Sequence, residues 1–292
     1  MDKVQLKGLE ENIMAVEREM VTGVTAGVPF VAIPPSAGPR PDAPVVLAWH
    51  LLDPPRTEAA FAAALPLDGL DAWRFYLGLP LSGSRLPAGG MDELMRLGYE
   101  DAVLNLYGPI SEQAVAEAAP AYAELRARFG LGDGPLGLLG GSQGAAVAGL
   151  VLAEGVLDAR AAVLVSPLIR LRPVVEAVGR QYGVDYRWSQ HSLAAAARMD
   201  LVARADEVAR NGPAVLAVVG EQDDVDGFRR PAEELVRALG PGRSSLVLIP
   251  DMAHALADEP GIEPAPQTEH AEAVDRHAVR WLHQHLGGPA GG

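Results

Sequence analysis

The chain has no cysteine. That absence removes disulfides, thiolate metal sites and a cysteine nucleophile together, and it fits a reducing compartment. Positive charge is scarce: 24 Lys and Arg face 38 Asp and Glu, for a formal net charge of −14. A nucleic-acid-binding surface carries the opposite sign, and the bases here come only in short groups such as Arg229-Arg230 and Arg170/Arg172. An anionic membrane would repel the same surface. No apolar run approaches the ~18 residues that a membrane span needs. The opening residues, MDKVQLKGLEENIMAVE, mix charges and lack the apolar stretch of a secretory signal. The expectation is a cytoplasmic protein with neither a nucleic-acid nor a membrane partner.

What the chain does have is apolar material in short runs. Of 292 residues, 49% are hydrophobic, enough for a sizeable core in one domain. The runs are VPFVAIPP (28–35), PVVLAWHLL (44–52), AWRFYLGLP (72–80), PLGLLG (135–140), AAVLVSP (161–167), PAVLAVVG (213–220) and SSLVLIP (244–250). Each is bounded by Gly, Pro, Ser or Asp. They are apolar throughout instead of alternating, which suits strands buried on both faces. Helical patterns lie between them, at 57–65 with Thr57 as N-cap, at 111–130, at 144–155, at 228–240 and at 268–287. The second opens at Ser111, ends at Gly130, and contains Pro120, which should kink or restart it. Alternating strand and helix predicts an α/β fold, a mostly parallel sheet with helices on both faces. Segments 81–110 and 167–212 are too long for simple connections and are expected to form a small helical cap or lid. The terminal GGPAGG (287–292) reads as a flexible tail.

One glycine-rich stretch carries the chemistry. In LGLLGGSQGAAVAG, Gly140-x-Ser142-x-Gly144 lies directly after an apolar run and directly before a helical one. That is the context of a nucleophile elbow, a strand-to-helix turn so tight that both flanking positions must be glycine. The helix N-terminus behind Ser142 favours developing negative charge. A phosphate loop would need Gly-Lys-Ser/Thr at its end, and no lysine is present there. A second glycine pattern, Gly132-x-Gly134-x-x-Gly137, precedes its strand instead of following it and contains Pro135, so it reads as a chance match to a dinucleotide fingerprint. No cofactor and no metal are expected.

A serine of this kind needs a base and an acid. In the elbow topology they follow the serine in the order acid, then histidine, each in a loop after a late strand. Asp223 follows the run 213–220, and His254 follows the run 244–250. Parallel strands share a C-terminal edge, so both loops belong to the edge that carries Ser142. Among seven histidines, His270, His277, His283 and His285 fall on the terminal helix and His191 in the lid. His50 closes an early strand, which is the wrong order for the base, and it is kept as a pocket residue. Asp224 and Asp226 compete with Asp223. The same stretch nearly spells a calcium loop, but Gln222 stands at its first position and Pro231 inside it. The backbone N–H of Gln143 is expected to donate to an oxyanion, its side chain mattering little, with a second donor from WHLLDPP, either Leu51 or Leu52. Phe75, Tyr76, Tyr182, Tyr186 and Trp188 are candidates to line a pocket.

Residues 44–52, 135–155, 213–224 and 244–256 together resemble an α/β-hydrolase, most nearly the prolyl-oligopeptidase-like and dienelactone-hydrolase-like small esterases. The resemblance implies a serine hydrolase acting on a small-molecule ester. A peptidase, thioesterase or acyltransferase would use the same three residues, and a homodimer stays open. Members of this fold often carry His-Gly where this chain has His50-Leu51, which makes the donor loop bulkier. Dienelactone hydrolases use a cysteine nucleophile that this chain lacks, and a non-catalytic relative would usually lack one of the three residues.

Overall fold

The apolar runs become strands. In the computed structural model, which describes residues 20–287, these are β1 (Val21–Thr25), β2 (Val28–Ile33), β3 (Val45–Trp49), β4 (Trp73–Leu77), β5 (Leu136–Gly141), β6 (Ala161–Val165), β7 (Ala214–Gly220) and β8 (Ser244–Ile249). They form one eight-stranded sheet in the order β1-β2-β4-β3-β5-β6-β7-β8. The pairs β1–β2 and β2–β4 are antiparallel, and every pair from β4 through β8 is parallel.

The continuous hydrophobicity of the central strands follows from having a core on each side. Val45, Leu47 and Trp49 of β3 pack on one face, whereas Val46 and Ala48 pack on the other. β7 divides the same way, with Val215, Ala217 and Val219 opposite Leu216 and Val218. The first face is covered by α3 (Gly108–Phe129), α4 (Gln143–Ala153), α5 (Leu171–Tyr182) and α8 (Arg230–Leu239). The second is covered by α1 (Glu58–Ala64) and α9 (Glu269–Leu286). Neither strand face meets water, so polar alternation would leave groups buried without partners.

Helix ends obey local chemistry. Thr57 accepts from the Ala60 N–H and caps α1, and Thr268 does the same for α9 through Ala271. Gly130 closes α3 in the left-handed region at φ 64°. The helix nevertheless begins three residues before Ser111 and runs through Pro120 without a restart. Ser111 is buried inside it and does not cap it.

The inserted segments are helical. Residues 81–110 contain α2 (Gly90–Asp101) and a π-helical stretch, Ala102–Tyr107, capped by Asp101. Residues 167–212 contain α5, α6 (Gln190–Arg198) and α7 (Ala205–Val208). The two insertions touch one another: α5 and α6 pack on the π-helical stretch, and the Tyr186 hydroxyl donates to Asp101 at 2.5 Å. Residues 288–292 of the expected tail lie outside the described residues. Among those described, no helix is long and apolar enough to cross a membrane.

Two strands depart from the sequence reading. β1 alternates between partly buried and exposed residues, as an edge strand with one wet face does, so it shows no continuous run. β8 is the opposite edge and is mostly half-exposed, although its sequence reads like a central strand.

Beneath the second face lies a polar node. Arg74 is fully buried and donates to the carbonyls of Pro34, Pro66 and Leu67. Asp275 of α9, only 7% exposed, accepts from the Leu67 N–H at 2.9 Å. Burial raises the Asp275 carboxyl to about 6 from an ordinary 3.8. The folded chain therefore holds this proton more tightly than the unfolded one. The resulting stability is complete below the unfolded value and is lost as pH rises through about 6, where a buried charge replaces a neutral acid; the difference is of order ~3 kcal/mol. Asn at this position still accepts from Leu67 but carries no charge. Asp275→Asn is therefore expected to melt several degrees higher than the wild type at pH 8 and to lose the slope of Tm between pH 4 and 6. A lower Tm at pH 8 with the slope intact would refute this account.

Candidate active site

The strand-to-helix turn after β5 sets the site. Ser142 adopts φ 47°, ψ −110°, a conformation that L-residues avoid. It is held there from both sides. Its N–H donates to Val165 of β6 at 2.8 Å, and its carbonyl accepts from Leu168 at 3.2 Å as well as from the first turn of α4. A Cβ on Gly140 would lie 2.2 Å from the Gly144 carbonyl oxygen, and one on Gly144 would lie 2.1 Å from that of Trp49. Both contacts are with backbone, which cannot move aside. Only glycine fits either position, so the turn can be this tight.

Two loops from the same edge of the sheet meet Ser142. The loop after β8 brings His254 Nε2 to 2.9 Å from Ser142 Oγ. The loop after β7 brings Asp223 Oδ2 to 2.9 Å from His254 Nδ1. Because the carboxylate can only accept, Nδ1 carries the proton and Nε2 accepts from the serine hydroxyl. Asp223 is itself oriented by the Asp224 N–H, which donates to its Oδ1 at 2.9 Å. The Phe228 ring lies 4.2 Å from the imidazole, centroid to centroid. Burial pulls His254 towards neutrality, but the hydrogen bond and charge of Asp223, with the charge of Asp53, outweigh it and raise its pKa above the ordinary value.

The rival acids are engaged elsewhere. Asp224 accepts from the Gly227 N–H and pairs with Arg180 at 3.3 Å, while Asp226 pairs with Arg230 at 2.7 Å. These contacts also occupy the stretch that imitates a calcium loop. Among the described residues, no group of three or more His, Cys, Asp or Glu is arranged to hold a metal ion.

The loop after β3 runs beside the serine. His50 is fully buried there. Its Nδ1 donates to the Leu51 carbonyl at 2.7 Å, and its Nε2 accepts from the Leu79 N–H at 3.0 Å. Desolvation lowers its pKa to about 4, so it is neutral with the proton on Nδ1. The Leu51 side chain packs against Gly141, and the Leu52 carbonyl accepts from Arg56 Nε at 2.9 Å. The Leu51–Leu52 peptide is trans, which directs the Leu52 N–H opposite to the Leu51 carbonyl and so away from His50.

Several expected pocket residues stand elsewhere. Tyr76 is not at the site: it is fully buried between the sheet and α1, stacks edge-on with Phe61, and donates to the Leu65 carbonyl. Its side chain points from β4 into the second core, one residue before the strand ends at Leu77. Phe75 packs in the opposite core against Trp73. His50 supports the loop from beneath and has no exposed surface to offer a ligand. Tyr186 and Trp188 pack on each other in the second insertion and, with Glu176, Arg180, Val184 and Asp185, line a cleft of about 280 Å³. Tyr182 is exposed at the end of α5.

The Gln143 side chain also departs from expectation. It is fully buried and donates to the Tyr107 carbonyl at 3.1 Å and to Ser111 Oγ at 2.8 Å. It therefore ties the residue after Ser142 to the π-helical stretch and to α3. Three neighbours went unnoticed in the sequence. Phe228 lay inside a helical pattern, Tyr107 lay in the 81–110 insertion, and Asp53 lay in the WHLLDPP loop with no spacing to single it out. Asp53 Oδ2 stands 3.7 Å from His254 Nε2.

No protein-family model matches the chain, and no curated protein matches it by sequence. Solved structures do resemble it. TT1662 from Thermus thermophilus superposes with a TM-score of 0.60 at 20% identity, over 92% of this chain and 98% of that one. Carboxyl esterase 2 from the fungus Tuber melanosporum gives 0.55 at 18% identity, over 93% and 88%. A puromycin-hydrolyzing peptidase from Mycobacterium tuberculosis gives 0.60 at 18% identity, covering 96% of this chain but only 42% of the peptidase. With its strand order, its antiparallel first pair and its elbow between β5 and α4, the chain has the α/β-hydrolase fold.

Proposed function

We propose that the protein is a serine hydrolase that cleaves small carboxylic esters through Ser142, His254 and Asp223. The observation that carries the reading is the unbroken chain of hydrogen bonds from Ser142 Oγ through the His254 ring to Asp223, with 2.9 Å at each step. His254 Nε2 takes the hydroxyl proton as Ser142 Oγ attacks the substrate carbonyl carbon. Asp223 fixes the tautomer and stabilises the imidazolium that forms. The oxyanion accepts from the N–H of Gln143, which as the first residue of α4 has no acceptor within the helix. The second donor is the Leu52 N–H, turned outward because His50 holds the Leu51 carbonyl. The alcohol leaves with the proton from His254, and an acyl group remains on Ser142. Water, deprotonated by His254, then attacks the acyl carbon and releases the acid. The insertions 81–110 and 167–212 form the walls over this edge. The fungal esterase among the structural neighbours supports an ester substrate. The mycobacterial peptidase keeps amide cleavage as the second reading.

A fluorophosphonate probe is expected to label the wild type at Ser142 and to leave Ser142→Ala unlabelled. A folded wild type that resists the probe would end the hydrolase reading. A series of p-nitrophenyl esters of rising acyl length, run beside peptide amides, separates the two substrate classes, with turnover expected on the short esters.

Removing the acid should misplace the imidazole proton. Asp223→Asn is expected to lower kcat by roughly three to four orders of magnitude with little change in KM. Asp224→Asn, which loses only the pairing with Arg180 and the loop cap, should stay within about tenfold of wild type. The reverse order would reassign the acid.

The raised pKa of His254 fixes the sign of the pH dependence. The base must be neutral to accept the serine proton, so kcat/KM is expected to rise with pH through a midpoint above 6.5. A midpoint below that value in the wild type would mean that Asp223 does not govern the imidazole.

A further inference from the structure

The reactive edge of His254 faces a second carboxylate that the triad does not use. Asp53 Oδ2 lies 3.7 Å from Nε2, the nitrogen that accepts from Ser142, whereas Asp223 engages the far nitrogen. Among the described residues, no Lys or Arg lies within ion-pair distance of Asp53, and the His254 ring beside it is neutral while Nε2 accepts from Ser142. The nearest arginine in sequence, Arg56, turns away from it. Its Nη1 and Nη2 bind Glu259, Nη1 also binds the Pro260 carbonyl, and its Nε binds the Leu52 carbonyl.

Asp53 is not a stray side chain on a loose loop. The carbonyls on either side of it are both fixed, that of Leu52 by Arg56 at 2.9 Å and that of Pro54 by the Leu256 N–H at 3.0 Å. The second bond joins this loop to the His254 loop, two residues beyond the imidazole. Pro54 and Pro55 are buried beside an Asp53 side chain that is 53% exposed. The carboxylate is thus held at the mouth of the site with one flank open. Its charge also reaches the Tyr107 phenol, where it adds to the larger effect of burial in keeping that hydroxyl protonated.

For a neutral ester this placement is a handicap. The oxyanion forms beside Ser142, and an uncompensated carboxylate near the same atoms raises the energy of that negative charge. An anionic substrate would be repelled outright. A substrate with its own positive charge near the scissile carbonyl removes the handicap and gains a charge-assisted hydrogen bond or ion pair. We propose that Asp53 is a specificity-determining residue that selects small esters carrying an ammonium group within a few bonds of the reacting carbonyl. The inference rests on the serine-hydrolase reading above and names its substrate class. Because Asp53 is half exposed, the preference is expected to be about ten- to a hundredfold in kcat/KM, not more.

Two isosteric pairs test it with the full-length protein near neutral pH. Alanine methyl ester against methyl isobutyrate places the charge on the acyl side. Acetylcholine against 3,3-dimethylbutyl acetate places it on the leaving-group side. In the wild type at least one cationic member should exceed its neutral partner about tenfold or more, and in Asp53→Asn that ratio should collapse towards one. Choline binding, followed by calorimetry, needs no turnover and should weaken about tenfold in the same variant. Wild-type ratios near one in both pairs, or a preference that survives in Asp53→Asn, would overturn the assignment. Choline binding that is absent or equal in both proteins would count against it in the same way. Failure of the hydrolase reading shows separately, as a wild type that turns over neither neutral ester and is not labelled at Ser142.

Discussion

One close approach of backbone to backbone sets the geometry around Ser142. Gly144 lies against the Trp49 carbonyl, and Gly140 lies against Gly144 itself, each so near that a single methyl group would collide with backbone. This contact lets α4 start directly on the end of β5. It also forces Ser142 into the positive-φ conformation that lifts its side chain off the sheet. Strain of this kind, of order 1–3 kcal/mol, persists only when surrounding bonds over-determine it. Here β6 holds the Ser142 N–H, Leu168 and the first turn of α4 hold its carbonyl, and the fully buried α4 cannot shift without opening the core.

From that turn outward, each neighbouring piece is fixed by a bond to the next. The Gln143 side chain reaches from the elbow to Tyr107 and Ser111, so the π-helical end of the first insertion is registered against the serine. His50 fixes the peptide of Leu51 from below, and the Pro54–Leu256 bond links the donor loop to the histidine loop. A disturbance in any of three loops therefore reaches Ser142 through one or two hydrogen bonds. A site on strand ends, linked by buried polar contacts, is held in one arrangement.

Much of this was legible in the sequence because the same physics writes both. Seven of the strands announced themselves as mostly apolar runs, since the central strands have a core on each face and leave few positions for a polar side chain. Ser142, Asp223 and His254 could be brought to one edge because parallel strands end on the same side. What could not be read had no local signature. β1 alternates as an edge strand should, so a search for continuous runs passed over it. Tyr76 and Tyr186 are the same residue type in aromatic company, yet one is sealed under α1 and the other bonds Asp101 in the second insertion. The Gln143 side chain looked incidental because its partners lie 32 and 36 residues away. Asp53 sits three residues after His50, but only the return of the loop after β8 gives its position meaning.

The two imidazoles at this edge, His50 fully buried and His254 partly exposed, differ in what holds them. His50 and His254 each follow a strand, and each is held through a proton on Nδ1. For His50 the acceptor is a neutral carbonyl, desolvation prevails, and the ring stays neutral down to about 4. For His254 the acceptor is a buried carboxylate, whose hydrogen bond and charge, with the charge of Asp53, prevail over desolvation and raise the pKa above the ordinary value. The Nε2 atoms differ correspondingly. That of His50 is occupied by the Leu79 N–H, whereas that of His254 meets only a serine hydroxyl and the open flank of Asp53. A carbonyl acceptor and an occupied Nε2 make one ring a loop support, whereas a carboxylate acceptor and an accessible Nε2 leave the other facing the serine hydroxyl. Only one of the two has a carboxylate hydrogen-bonded to its Nδ1.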